Sequence, residues 1–348
     1  MKRKRQRRFH PLLDLNENQF RLKYRYTKEN FRRIIEIVRD DLEIDYNKPP
    51  NRNQVPIDLQ ILSAIRLWGG TEHPQLTAMA HGVSVATMNK ITRRVASVLS
   101  SKASRYIRMP ATLSEKELVI RSFQSLANMP QVIGALEHAS VRLRMDSRMI
   151  DFESSQSGSE SPTEDIVHLQ VICDSTHKIR DLDMRSSYEL DLNTAKEMFS
   201  LSRIKERFEQ NEFRGRILLG NDNDSNCNFL LTPVQYPRQQ SEELYNLAHH
   251  TTFAPVQLAI NKWFSRFAIL GSELWASFGS AKQTITALAL LHNMAVEWND
   301  PSIDIETNTC LYRPLFLNYI PDCNYNTTST EHRVRKEFIK SNFSCKNK

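Results

Sequence analysis

Cysteine is sparse and unpaired in this 348-residue chain. Its five cysteines, Cys173, Cys227, Cys310, Cys323 and Cys345, are scattered, odd in number and form no CxxC pair. That distribution offers neither a disulfide framework nor a cysteine zinc site and fits a reducing compartment. Long apolar runs are missing too: nothing approaches the ~20 residues that span a bilayer. The first eight residues, Met1 to Arg8, have no apolar stretch behind them and do not read as a secretory signal. No internal repeat is visible. No His, Asp and Glu set has a recognised ligand spacing, so the pattern predicts no metal and no other cofactor. What is present, 40% hydrophobic and 25% charged residues, describes an ordinary globular protein of one or two domains with no membrane role.

The charge is unevenly spread. Residues 1–110 hold 22 Lys and Arg against 10 Asp and Glu, leaving 25 basic and 30 acidic residues for the remainder. A basic third joined to a mildly acidic body suggests a nucleic-acid-facing module on a larger scaffold, in contact with DNA or chromatin. Lys2, Arg3, Lys4, Arg5, Arg7 and Arg8 form a run suited to nuclear import or DNA contact, and the nucleus is the expected location. The plainer reading of that run is a solvated tail.

Along the chain, residues 1–20 read as a basic tail and 21–110 as a helical region. Phe31, Ile34, Ile35, Val38 and Leu42 recur at three- and four-residue steps, with Thr27 as the N-cap. Pro49, Pro50 and Pro56 break the chain before a second helix that Gly69 and Gly70 end. Residues 75–94 then read as helix, a turn at Gly82, a Ser84 N-cap and a second helix. This spacing is that of a helix-turn-helix, whose Thr87, Asn89, Lys90, Arg93 and Arg94 would face DNA or a partner. A helical hairpin with those side chains in water fits the pattern equally. From 111 to 348 the pattern is mixed: strands at 132–136, 167–173 and 217–219, then helices near 193–210, 250–268 and 280–297, which together predict an α/β (α+β mixed) core. Residues 151–165, rich in Ser and acid, read as a disordered loop.

Five short blocks, in order, carry a resemblance. They are Met129 to Val141; Val171 to Asp174; Leu218-Leu-Gly-Asn221 with Leu230 to Pro233; Tyr245 to His249 with Phe264 to Phe267; and Leu291-His-Asn293. From about residue 20 to 343 the chain resembles the Harbinger transposase-derived nuclease family. The resemblance implies an RNase H-like core of the DDE-transposase type, in which a carboxylate cluster holds two divalent metals for phosphodiester cleavage. It also implies a partner, a Myb/SANT-like or related helical DNA-binding protein to which targeting is delegated.

At the positions the resemblance assigns to acids, this chain departs from the pattern. Glu137 stands where the first aspartate is expected and is one methylene longer; Asn221 and Gln257 stand where an aspartate and a glutamate are expected. A further aspartate falls on Asp191 or on Ala195, depending on the direction of counting. Each amide removes a full charge facing a dication, and losing ~3 kcal/mol of transition-state stabilisation already slows a reaction more than a hundredfold. The expectation is therefore a non-enzyme, a chromatin or transcription adaptor. Its rivals are an endonuclease that uses Mg²⁺ through substituted ligands such as Asp222 or Asp224, and a direct DNA binder. His138, His249 and His250 are assigned structural roles, Trp263, Phe264 and Phe267 to the core, and Glu331 to Phe343 to a helix packed on the domain. Oligomeric state is left open.

Overall fold

The computed structural model describes residues 9–43, 55–70, 72–145, 163–191, 195–222, 224, 226–301 and 329–344. The cationic run at 2–8 and the loop residues 151–162 lie outside the described residues.

The N-terminal region is helical already from Pro11, inside the stretch expected to be tail. Helices α1 (Pro11–Asp14) and α2 (Glu17–Tyr24) precede α3 (Lys28–Glu43) and α4 (Ile57–Gly69). A reciprocal capping box between Asn16 and Gln19 starts α2, which buries Phe20 and Tyr24. Thr27 caps α3 as expected, its Oγ1 accepting the Asn30 N–H at 3.2 Å. The periodic residues Phe31, Ile34, Ile35, Val38 and Leu42 are all buried. Helices α5 (Pro74–Ala80) and α6 (Val85–Ser101) form the anticipated helix-turn-helix. Gly82 makes the turn at φ 64°, where a side chain would be strained, and Ser84 Oγ accepts the Thr87 N–H at 3.1 Å. Helices α7 (Ala103–Tyr106) and α8 (Leu113–Ala127) lead into the sheet.

The sheet is mixed. Strands β1 (Val132–Met145), β2 (Thr163–Cys173) and β3 (Ile179–Ser186) run antiparallel, and β4 (Ile217–Leu219) and β5 (Leu230–Leu231) add in parallel on the far side of β1, giving the order β3-β2-β1-β4-β5. A short β6 (Glu273–Trp275) pairs in parallel with the distal part of β1. Two strands are longer than the apolar runs suggested, because their distal residues include charged side chains. Residues 163–165, expected in the disordered loop, belong to β2; buried Asp165 accepts the Ser186 hydroxyl at 2.6 Å. Edge strand β3 carries Arg180, Asp181, Asp183 and Arg185 and so lacks the apolar alternation by which a strand is recognised.

Helices cover both faces. Helices α9 (Ala195–Ser200) and α10 (Arg203–Glu209) replace the single helix expected over 193–210, because Ser202 ends one and caps the next. Phe199, Ile204 and Phe208 pack on Ile133, Leu136, Ile172 and Leu218 on one sheet face. Helix α11 (Gln240–Arg266) starts about one helical decade before the predicted 250, from a Gln239–Glu242 capping box. It lies with α12 (Phe278–Glu297) on the side of Ala139, Val141, Leu169 and Val171. The same core cluster continues through Phe31, Trp68 and Leu99, so the N-terminal helices and the sheet share one apolar interior. Trp263, Phe264 and Phe267 are buried in it, as expected. Helix α13 (Ser329–Phe343) sets Phe338 and Phe343 against Tyr245 at ring distances of 6.3 and 5.7 Å. The protein is thus α/β. Among the described residues no helix is long and apolar enough to cross a membrane.

Buried charge ties the two regions together. Arg266 donates to Asp300 Oδ1 at 2.8 Å, and Asp300 Oδ2 accepts from the Thr27 N–H at 3.0 Å and the Asn30 amide at 2.8 Å. Tyr26 completes the clamp: its hydroxyl donates to the Leu291 carbonyl at 2.8 Å and the Arg266 guanidinium lies 4.9 Å from its ring centre.

Candidate nuclease-like centre

Strands β1 and β4 are parallel neighbours with Ala135 beside Leu219. Two residues further along each chain, Glu137 and Asn221 meet: the Asn221 amide Nδ2 donates to Glu137 Oε1 at 2.5 Å. The opposite amide orientation would set two acceptors against one another, so the hydrogen bond fixes which end of Asn221 faces the acid. The same Glu137 oxygen accepts the His138 backbone N–H at 2.9 Å.

His138 points to the opposite sheet face, as alternation requires, and finds Asp224. Its Nε2 lies 2.9 Å from Asp224 Oδ1, with both side chains essentially inaccessible at 1% and 0% exposure. Asp224 Oδ2 turns back to accept the Asn221 N–H at 2.8 Å. Glu137, Asn221, Asp224 and His138 therefore close a hydrogen-bonded ring around the end of β4. Gly220 makes room for it, since a Cβ built there would fall 2.7 Å from Asp224 Oδ2. His249 on α11 secures the neighbouring strand end through Nε2 and the Leu231 carbonyl, 3.1 Å apart. Burial lowers its pKa to about 4, so it is neutral.

This arrangement does not fit a divalent cation. Such an ion needs several oxygen ligands with strict geometry, whereas Asn221 presents N–H to the one carboxylate that faces it, and Asp224 is engaged by an imidazole and a backbone N–H. Among the described residues no three His, Cys, Asp or Glu side chains are placed to share a metal.

The other anticipated positions stay apart from the ring. Gln257 lies on the exposed face of α11 and has no hydrogen bond to Glu137 or Asn221 among the described residues. Asp191 is exposed, its N–H held by the Glu197 carboxylate at 2.7 Å, and Ala195 is buried at the start of α9. Neither counting scheme brings an acid to Glu137. In the helix-turn-helix, Asn89, Lys90 and Arg93 are exposed as expected. Arg94 is half-buried, and its guanidinium donates to the Leu42 carbonyl and tethers the end of α3, where helix carbonyls lack intrahelical partners. Thr87 is half-buried, its hydroxyl 2.9 Å from Ser84 Oγ at the helix cap. Asp222, one position on from Asn221, is exposed. The partnership of Asp224 and His138 was not anticipated. They are 86 positions apart, and Asp224 lies beyond the strand, where alternation no longer predicts direction.

Proteins named "Putative nuclease HARBI1" match this chain over most of its length. Those of Homo sapiens and Rattus norvegicus align over 279 residues at 24% and 25% identity, covering 78% of this chain and 78% of theirs. That of Xenopus laevis aligns over 320 residues at 24% identity, covering 90% of this chain and 88% of its own. The chain is thus similar over most of its length to proteins named as putative nucleases, in line with the Harbinger resemblance of the short blocks. No family model matches, and no solved structure matches.

Proposed function

We propose that this protein is a nuclease-derived scaffold that does not cut DNA and acts as a nuclear chromatin or transcription adaptor through protein partners. The observation that carries the reading is the 2.5 Å hydrogen bond from Asn221 to Glu137. An amide donor stands where a second carboxylate would be needed, so the centre is satisfied without a metal. The mixed sheet with helices on both faces supports an RNase H-like core. A metal-dependent endonuclease with substituted ligands is the second reading, favoured by one observation: Asp224 is buried at the ring.

Purified protein incubated with supercoiled plasmid in Mg²⁺ or Mn²⁺ is expected to leave it intact. Metal-dependent nicking abolished by Glu137→Ala would reverse the reading. The partner expected is a small helical DNA-binding protein of the Myb/SANT-like kind, docking on the helix-turn-helix. Deleting that region would remove part of the shared core, so Lys90→Glu with Arg93→Glu is the cleaner test. These exposed changes should release a DNA-binding protein recovered from nuclei without lowering stability. A partner set unchanged by them would move the interface elsewhere.

A further inference from the structure

Helix α11 is buried along one side and open along the other. Tyr245, His249, Thr252, Val256 and Ile260 lie on the buried side. On the open side Leu244, Leu247, Thr251, Ala254 and Leu258 follow at steps of three, four, three and four residues, which places them in one stripe. The three leucines are 40%, 65% and 45% exposed. Pro255 interrupts the helix only at a half-buried flank, and the stripe continues past it to Leu258. His250 and Gln257 border the stripe and are exposed.

The stripe carries no full charge. From Leu244 to Asn261 the chain has no Asp, Glu, Lys or Arg. The exposed face of α3, by contrast, presents Glu29, Arg32, Arg33, Glu36, Arg39 and Asp40. A continuous apolar strip on an exposed helix marks an interaction site, and its spacing is that by which one helix packs along another.

Charge selects the occupant. The helices packed against α11 carry exposed charges of both signs, Arg333, Lys336, Glu337 and Lys340 on α13 and Glu117 and Arg121 on α8. No field of one sign therefore calls for a nucleic acid or a strongly charged protein. A face without charge can instead meet its own image, because a two-fold contact sets a surface against itself and would oppose like charges near the axis. In an antiparallel register Leu247 faces Leu258 of the second copy and Thr251 faces Ala254 of the second copy, so small layers at the centre are flanked by large ones. The same register sets Glu243, at one end of the stripe, level with Lys262 of the second copy at the other.

We propose that α11 is the contact of an antiparallel homodimer, in which two copies of this chain cross at Thr251 and Ala254. About four turns of helix per copy make a small interface, near or below the ~1,200 Å² at which stable complexes begin, so the dimer forms at micromolar concentration. The proposal goes beyond the adaptor reading and does not depend on it, since neither cutting nor its loss alters this face.

Sedimentation velocity of the full-length protein between about 1 and 100 µM, the range that spans a micromolar Kd, is expected to show monomer converting to dimer. Leu247→Glu and Leu258→Lys should each weaken association roughly tenfold or more, as for an anchor at the centre of an interface. An equimolar mixture of these two variants should recover a heterodimer, because only the antiparallel register brings position 247 to position 258. That recovery also shows that each variant is folded. Leu22→Glu on α2, where the side chain is 63% exposed, should leave association unchanged. A wild type that stays monomeric throughout would overturn the proposal, including the cases in which residues 302–328 of the same chain or another protein covers the stripe. So would dimerisation that survives both substitutions, an equal loss in Leu22→Glu, or failure of the two variants to associate on mixing.

Discussion

Two buried polar clusters hold this molecule together, and they solve opposite problems. At the clamp, Asp300 is matched by a full opposite charge on Arg266 and by the Thr27 and Asn30 donors. At the ring, an amide, two backbone N–H groups and an imidazole engage Glu137 and Asp224. The clamp joins segments 273 residues apart and has the form of an architectural weld. The ring lies around the end of β4 and is held by hydrogen bonds from neutral groups.

If the difference is real, the largest effect belongs to the clamp. Asp300→Ala strands the buried Arg266 and removes the acceptor of Thr27 and Asn30. A loss of about 3–5 kcal/mol is expected, read from the urea midpoint with an unchanged slope. A change below ~1 kcal/mol, the level of an exposed pair, would show that the weld is ornamental.

Acid should destabilise the protein through its buried histidines. Burial lowers His249 to about 4 and His292 to about 3, so both are neutral in the folded protein. The unfolded chain binds protons at these histidines as pH falls below the ordinary histidine value near 6.5. The folded chain resists protonation down to the lowered values, so stability falls with pH through this window. Asp181 opposes the trend: desolvation raises it to about 6, which favours the folded state on acidification between there and the ordinary carboxylate range. Burial lowers His168 and His177 as well, so the histidines outweigh the single aspartate and stability falls as pH drops from about 6 to 4. Thermal melts across pH 4–7 in His249→Gln and the wild type should diverge in slope; parallel curves would show that His249 is not held neutral.

A smaller effect separates the ring from simple packing. Gly220→Ala places a Cβ against the Asp224 carboxylate, whereas Gly134→Ala meets Ile172 Cγ2 at 2.6 Å and only apolar neighbours besides a carbonyl. Both should destabilise by about 1–3 kcal/mol through overpacking. Only the first should shift the His138 imidazole ¹⁵N resonances, because only it moves the carboxylate that His138 touches. Equal shifts in both variants would mean that the ring is not a local unit.

Much of the fold was readable from sequence wherever a single element's physics decides it. The α3 periodicity, the Ser84 cap, the turn at Gly82 and the apolar strand β4 each follow from spacing and side-chain type alone. The strands that escaped notice are those whose burial is partial or supplied by a neighbour: charged β3, two-residue β5, and the charged distal end of β1. At the site, Glu137 and Asn221 were singled out because the resemblance assigns both positions to one acid cluster; that they touch follows from the parallel pairing of β1 and β4. Asp224 was not, since a residue past a strand end is aimed by the tertiary packing around Gly220. The same limit explains Arg94, whose role depends on a helix end 52 residues away.

The central claim is that Asn221 closes the Glu137 position to divalent metal. Titrating Mn²⁺ into the purified full-length protein by calorimetry, with Glu137→Ala as the reference, tests it directly. The expected result is no saturable heat in the wild type beyond that of Glu137→Ala, and the same urea midpoint with and without Mn²⁺. Stoichiometric Mn²⁺ binding that disappears in Glu137→Ala, accompanied by metal-dependent stabilisation, would contradict it.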